Sequence, residues 1–87
     1  MKEIPLIVGN YIDNIECENF LDPETGRIRV RPLPGQGLPT NLVIECSRSE
    51  RERYPLGTRF RTDNVKICTK PDGRIYLRAS GQWIYKI

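Results

Sequence analysis

Residues 22–31, DPETGRIRVR, combine a turn signal with a strict alternation of side chains. Pro23 fixes the backbone angle that a type I turn needs, and Gly26 supplies the left-handed residue that closes a short hairpin. After the turn, Ile28 and Val30 point to one side of the strand. The opposite side carries three cations: Arg27, Arg29 and Arg31. This stretch therefore predicts a β-hairpin with an apolar inner face and a basic outer face.

The same alternation recurs on both sides of this hairpin, whereas no window of ten or more residues has the spacing of an amphipathic helix. The strands that it predicts cover residues 4–20 (split near Gly9), 27–31, 41–46, 58–62, 74–79 and 83–87. After the fourth strand, Val65 and Ile67 have the opposite parity to Phe60, which predicts a bulge or a sharp bend at residues 63–64. A second turn signal, KPDG at residues 70–73, precedes the fifth strand.

The segments between these strands contain one long loop and one short helix. Residues 32–40, PLPGQGLPT, hold three prolines and two glycines, which excludes a central strand. Residues 47–54 form the only helical candidate, capped by Ser47 or Ser49 and ended by Pro55. This helix is expected to have at most two turns.

A chain of 87 residues is long enough for a single domain, predicted to span residues 1–87. Short strands separated by turn signals predict an all-β fold, namely a small five- or six-stranded antiparallel barrel with one short helical turn. Both SH3-like and OB-like barrels fit this length. An OB fold usually places its helix between the third and fourth strands, which is where residues 47–54 fall.

The composition excludes most catalytic chemistry. The chain has no His, so it lacks the commonest general base and the commonest zinc ligand. Its three cysteines, Cys17, Cys46 and Cys68, form no C-x-x-C pair, and we expect them to be buried thiols rather than disulfides or metal ligands. The sequence therefore predicts a protein without enzymatic activity, cofactor or metal.

The compartment is predicted from the apolar runs and the thiols. No apolar run approaches the ~20 residues that a membrane-spanning helix needs. The first residues also lack the long apolar region of a signal peptide. Because free thiols are typical of reducing compartments, we expect a cytoplasmic protein.

Two further motifs only partly match known ligand sites. Gly35 and Gly37 lie in a G-x-G pattern, but the third glycine and the helix of a dinucleotide fingerprint do not follow. The acidic residues of the first third lack the D-x-D-x-D-G run of a calcium loop. We expect them to form a solvated strand face: Asp13, Glu16, Glu18, Asp22 and Glu24.

The charges are unevenly distributed along the chain. Residues 1–26 carry one cationic and six anionic side chains, whereas residues 27–87 carry thirteen and five. The cations follow strand periodicity, so a curved sheet would gather several guanidiniums around one aromatic ring. Arginine binds phosphate and an aromatic face stacks on a base, which together predict a nucleic-acid-binding face. The predicted binding residues are Arg29, Arg31, Arg59, Arg61, Arg74, Tyr76 and Arg78.

Internal ion pairing is an alternative explanation of the same charges. The arginines of residues 27–31 can pair with Glu16 and Glu18 across the first hairpin. In that arrangement the acidic first third of the chain neutralises the basic strand. No ligand would then be implied.

The C-terminal strand predicts an alternative function. Trp83, Tyr85 and Ile87 alternate with Ile84, so this strand is apolar on both faces. Such a strand is either buried on two sides, with Trp83 closing the barrel, or an edge that recruits a partner. The alternative function is therefore a protein–protein interaction or oligomerisation module within a larger assembly.

Overall fold

The computed structural model describes residues 3–87. The predicted domain, residues 1–87, also includes Met1 and Lys2, which lie outside the described range. The elements in chain order are β1 (Tyr11–Asp13), β2 (Glu16–Asp22), β3 (Arg27–Pro32), β4 (Ile44–Glu45), α1 (Arg48–Arg53), β5 (Arg59–Arg61), β6 (Asn64–Thr69), β7 (Ile75–Ala79), a 3₁₀ turn (Ser80–Gln82) and β8 (Tyr85–Lys86).

The eight strands form two four-stranded sheets. Sheet 1 has the order β1-β6-β7-β4, and sheet 2 has the order β3-β2-β5-β8. The all-β prediction is confirmed at this level, but the strands of the described residues do not close into a barrel. One pair also departs from the antiparallel prediction, because β4 runs parallel to β7. Parallel pairing requires a long connection, and here the chain between the two strands forms α1, β5 and β6.

Both predicted turns close hairpins. At the first, the Gly26 amide donates to the Asp22 carbonyl at 2.8 Å, and Gly26 has a φ of 70°. At the second, the Gly73 amide donates to the Lys70 carbonyl at 2.9 Å. The first turn sets the register of β2 and β3, in which Glu18 lies opposite Arg31 and the pairing runs from Cys17 opposite Pro32 to Asp22 opposite Arg27.

The predicted bend at residues 63–64 is the point where the chain changes sheet. Strand β5 ends in sheet 2, and β6 begins at Asn64 in sheet 1. Phe60 and Val65 are both buried although their parity differs, because each faces the core from its own sheet. The buried Thr62 hydroxyl donates to the Ile15 carbonyl at 3.1 Å and fixes the crossing.

The two sheets bury their inner faces in one core. Its members include Cys17, Val30 and Phe60 from sheet 2, and Ile67 and Leu77 from sheet 1. The outer faces of both sheets carry the alternate, polar residues of the strands.

The C-terminal strand contributes Ile84 to this core, with 3% of its surface exposed. Trp83 is 60% exposed, so the prediction that its ring closes a barrel is wrong. The indole ring lies against Gly81, where an added Cβ would come within 2.7 Å of the Trp83 ring. Because Gly81 has no side chain, the Trp83 ring can lie against its backbone at the surface.

The remaining segments are held by side-chain contacts to the sheets. The predicted helix is confirmed as α1 with Ser47 as its cap, and Arg51 ties it to the sheets by donating to the carbonyls of Ile28 (2.9 Å) and Cys46 (2.6 Å). The predicted first strand is shorter than expected, because residues 3–10 form no strand and β1 begins only after Gly9, which has a φ of 97°. Within residues 3–87, no helix has the length and apolar character needed to cross a membrane.

Candidate nucleic-acid interface

A groove of about 490 Å³ separates the β2–β3 hairpin from the β6–β7 hairpin. It lies where the β3 edge of sheet 2 approaches the β4 edge of sheet 1. Four of the seven predicted binding residues line it, together with one further aromatic ring and one further cation. These six are Phe20, Arg29, Arg31, Lys70, Arg74 and Tyr76. The carboxylates of Asp22 and Glu24 also line the cavity. We call this cavity, with the six residues as its aromatic and cationic lining, the groove.

Each arginine of the groove contacts a carboxylate through its Nε atom. The Arg31 Nε lies 3.0 Å from the Glu18 carboxylate, and the Arg74 Nε lies 2.8 Å from that of Asp72. The Arg29 Nε lies 3.1 Å from an oxygen of Asp22. Within the described residues no terminal Nη atom of these three arginines donates a hydrogen bond. The carboxylates therefore orient the guanidiniums and leave their terminal N–H groups available.

Arg29 is the most enclosed of the three, with 19% of its side chain exposed. Its Nε atom is buried, and the nearby oxygen of Asp22 does not lie in the direction of a hydrogen bond. The contact with Asp22 is therefore electrostatic. A buried N–H group without a directed acceptor is costly, so an additional acceptor in the groove would stabilise Arg29.

The exposed ion pair of Asp72 and Arg74 stabilises the carboxylate. The pKa of Asp72 is lowered, first by the hydrogen bond from the Arg74 backbone amide (3.0 Å) and then by the Arg74 guanidinium. The same pair holds the Arg74 side chain beside the KPDG turn. Both partners are exposed, so we expect the pair to add little to the stability of the fold.

Both aromatic rings of the groove carry a cation over one face. The Arg31 guanidinium lies 4.5 Å from the centre of the Phe20 ring, and the Lys70 ammonium lies 5.3 Å from that of Tyr76. Lys70 forms no ion pair among the residues described here. The groove thus combines two flat stacking surfaces with cations that are already placed beside them.

The other predicted residues lie outside the groove. Arg59 and Arg61 are exposed on the outer face of sheet 2, opposite Glu18 and Glu16 of β2. Arg78 is exposed on the outer face of sheet 1. The structure therefore brings four predicted residues together in the groove. Arg59 and Arg61 share the outer face of sheet 2 with Arg29 and Arg31, but they lie on the far side of β2. Arg78 shares the outer face of sheet 1 with Tyr76 but does not line the groove.

The predicted ion pairing across the first hairpin forms in part. Arg31 pairs with Glu18 as expected, whereas Arg29 approaches Asp22 instead of Glu16. Glu16 takes part in no ion pair that the described residues form. Its backbone N–H and C=O both bond to the side-chain amide of Gln36, each at 2.7 Å. The glycine-rich loop therefore has a structural role, because Gln36 at its centre bonds to the first residue of β2.

Sequence reasoning missed Phe20 and Lys70. Phe20 shares a face with Glu18 and lies opposite Arg29, which the register set by the first turn could have shown. Lys70 begins the second turn, and nothing local in the sequence indicates that it meets Tyr76 across the hairpin. The turn and the register therefore indicate the position of Phe20, whereas the contact of Lys70 with Tyr76 depends on the fold.

The three cysteines are free thiols. Burial raises the pKa of Cys17 to about 12 and that of Cys46 to about 11, so both stay protonated near neutral pH. Cys68 is half-buried on the outer face of sheet 1, opposite Tyr76. In the described part of the chain, no three His, Cys, Asp or Glu side chains are grouped to hold a metal ion.

Comparisons with known proteins do not extend this description. The chain matches no protein-family model, no curated protein and no solved structure. The candidate interface therefore rests on its own geometry and charge.

Proposed function

We propose that this protein is a non-enzymatic, cytoplasmic binding module that holds single-stranded nucleic acid in the groove. The proposal includes an OB-like or SH3-like relationship of the fold, which the small all-β architecture with one short helix supports. The free thiols support a reducing compartment. The groove itself supports the choice of ligand.

The arrangement of the arginines carries the proposal. Arg29, Arg31 and Arg74 each meet a carboxylate through Nε, so their terminal N–H groups remain free to bind phosphate oxygens. Phe20 and Tyr76 lie beside them in the same groove and offer rings on which bases can stack. Phosphate and base recognition are thus combined at the scale of one or two nucleotides.

The groove favours a single strand over a duplex. Stacking on Tyr76 or on the Arg31–Phe20 pair requires an unpaired base, since a paired base has its faces covered by its neighbours. A volume of about 490 Å³ also suits a small part of a strand rather than the width of a double helix. The expected ligand is therefore a flexible single strand.

Fluorescence anisotropy with a labelled single-stranded oligonucleotide tests this proposal. We expect Arg74→Ala to weaken binding about fivefold, which corresponds to the loss of one exposed ion pair with a phosphate worth about 1 kcal/mol. The salt dependence should fall by about 0.7 in the logarithmic slope, because one phosphate contact is lost. Arg59→Ala is the matched control, since it removes the same charge from an exposed arginine that does not line the groove.

Two results would overturn the proposal. One is the absence of binding at low salt. The other is an equal loss in both variants, because binding would then follow the overall charge and not the groove. A duplex that binds as tightly as the single strand would contradict the stacking argument.

The exposed side chains of the C-terminal segment, residues 83–87, favour protein interaction as a second candidate function. Trp83, Tyr85 and Ile87 are exposed, and β8 is an edge of sheet 2. Lys86 opposes the pairing of a further strand with β8. It lies opposite the buried Phe60, on the inward-facing side of the sheet, and a charged residue on that side of an edge strand discourages pairing. Light scattering of the wild-type protein and of Trp83→Ala would show whether the indole drives self-association.

A further inference from the structure

We propose that the nucleic-acid path continues from the groove across the outer face of sheet 1 and ends at Tyr11. This inference rests on the proposed function and adds two binding residues, Tyr11 and Lys66. Its basis is the strand register, which places Tyr11 opposite Lys66 and Lys66 opposite Arg78. Tyr76 belongs to the same face, two residues before Arg78 on β7. The groove and this row of side chains therefore form one surface.

The spacing suits a strand that lies diagonally across the sheet. Tyr11 is two strands and two residues away from Tyr76, so their Cα atoms are separated by about 12 Å from strand spacings of about 4.8 Å and a rise of about 3.4 Å per residue. Tyr11 is 59% exposed, and the Lys66 ammonium lies 6.0 Å from its ring centre. Tyr11 thus provides a second stacking surface at a distance that only a longer oligonucleotide reaches.

The charges of this face indicate what covers it. Lys66 and Arg78 are exposed and form no ion pair with any described residue. Glu45 of β4 lies opposite Arg78 without forming an ion pair with it, whereas Lys66 has only Tyr11 and Arg78 opposite it. On sheet 2, acidic β2 lies between basic β3 and β5, so more of the cations of that face are neutralised. Unpaired cations beside the exposed Tyr11 and the half-buried Tyr76 match the alternation of phosphate and base along a single strand. An acidic peptide would satisfy the cations but would leave the tyrosines without stacking partners.

The path also accounts for Arg78, a predicted binding residue that the groove leaves out. Arg78 lies opposite Lys66, between the groove and Tyr11. Cys68 lies opposite Tyr76 on the same surface and is half-buried. A bound strand would therefore cover the Cys68 thiol, which gives an independent readout of the path.

A length series of oligonucleotides tests the extension. Single strands of about 2 nucleotides, which fill only the groove, and of about 12 nucleotides, within the range bound by small β domains, are compared on wild type and on Tyr11→Ala. We expect Tyr11→Ala to weaken binding of the longer strand about tenfold and to leave the shorter strand unchanged, because only the longer one reaches Tyr11. Tyr85→Ala is the matched control, since Tyr85 is an exposed tyrosine on the outer face of sheet 2.

Thiol labelling gives the second measurement. The longer strand should slow the modification of Cys68 by iodoacetamide, while Cys17 and Cys46 stay unreactive with and without ligand. Unchanged Cys68 labelling together with equal affinities of both lengths would overturn the path and leave the groove intact. If neither length bound, or if Arg74→Ala had no effect, the proposed function itself would fail. Protection of Cys68 by an acidic peptide but not by the oligonucleotide would assign the face to a protein.

Discussion

At the residue scale, Asn19 is the best-connected polar side chain of the interior. It is 1% exposed on the inner face of β2. Its amide nitrogen donates to the carbonyls of Arg51 (3.0 Å) and Tyr54 (3.3 Å), and its oxygen accepts from the Thr58 amide at 2.9 Å. One side chain thus joins β2 to the end of α1 and to the start of β5.

We expect Asn19→Ala to lower the free energy of unfolding by about 2–4 kcal/mol. The substitution leaves two carbonyls and one amide without their partner in a buried position, and each such group costs about 1–3 kcal/mol before relaxation. Urea denaturation followed by circular dichroism measures the change. Asn10→Ala is the control, since Asn10 is exposed and uses its backbone groups in the described bonds, and it should stay within about 0.5 kcal/mol of wild type. Equal effects of the two substitutions would contradict the role of Asn19.

The buried thiols predict how stability depends on pH. Thiols of the unfolded chain titrate near the ordinary value of 9.0, whereas burial raises the pKa of Cys17 to about 12 and that of Cys46 to about 11. Between these values the folded state binds more protons, so its stability falls as the pH rises above 9. For each thiol, the free energy of unfolding falls by at most about 1.4 kcal/mol per pH unit. The stabilisation is fully present below pH 9.

Urea unfolding at about pH 8 and at about pH 10.5 measures this slope. The double variant Cys17→Ala, Cys46→Ala should be less stable at the lower pH because it leaves cavities, but its stability should change less between the two values. Lysines and tyrosines titrate in both proteins. The difference between the pH dependence of wild type and that of the double variant therefore gives the contribution of the two thiols. A slope that the double variant shares with wild type would contradict the prediction.

At the element scale, the hairpins could be predicted from sequence because their determinants are local. The first turn and the alternation of Arg29 and Val30 fixed the inner and outer faces of β3, and the structure confirms both. The second turn, at residues 70–73, likewise closes its predicted hairpin, between β6 and β7. The cap of α1 was equally local, with Ser47 accepting a hydrogen bond from the Glu50 amide at 3.4 Å.

The pairing of distant strands could not be predicted, because it depends on long-range packing. Strand β4 is reduced to Ile44–Glu45 and runs parallel to β7, which no signal near residues 41–46 indicates. For the same reason, the strand pattern correctly predicted that Arg59 and Arg78 point outward, but it did not predict that they belong to two different sheets. The groove exists only because β3 approaches β4, so the sequence predicted one face of seven residues, of which the fold gathers four.

At the scale of the whole molecule, the charge asymmetry of the sequence is partly cancelled by the fold. The acidic first third of the chain supplies β2, and the fold places β2 between β3 and β5 with their arginines. Glu18 therefore has Arg31 on one side and Arg59 on the other. The net charge of +3 is thus a poor guide to where an anion would bind. Local pairing decides which cations remain available.

This competition between carboxylates and ligand can be measured with two variants of equal net charge. Glu18→Gln removes the negative charge beside Arg31 but keeps an oxygen that accepts from its Nε, so the guanidinium stays in place. We expect the affinity for single-stranded oligonucleotides to rise about threefold at low salt, equivalent to about 0.6 kcal/mol and typical of a partly exposed ion pair. The increase should shrink as salt is added.

Glu16→Gln raises the net charge by the same amount, and Glu16 contacts the glycine-rich loop through backbone groups that the substitution leaves intact. Because the Glu16 carboxylate, unlike that of Glu18, pairs with no arginine of the groove, we expect little change in affinity. Equal increases in both variants would mean that binding follows the long-range field of the whole protein. A decrease for Glu18→Gln would mean that the Arg31–Phe20 contact depends on the full charge of the carboxylate and not on the acceptor oxygen alone. Only a difference in favour of Glu18→Gln agrees with recognition by guanidiniums that the fold has already oriented.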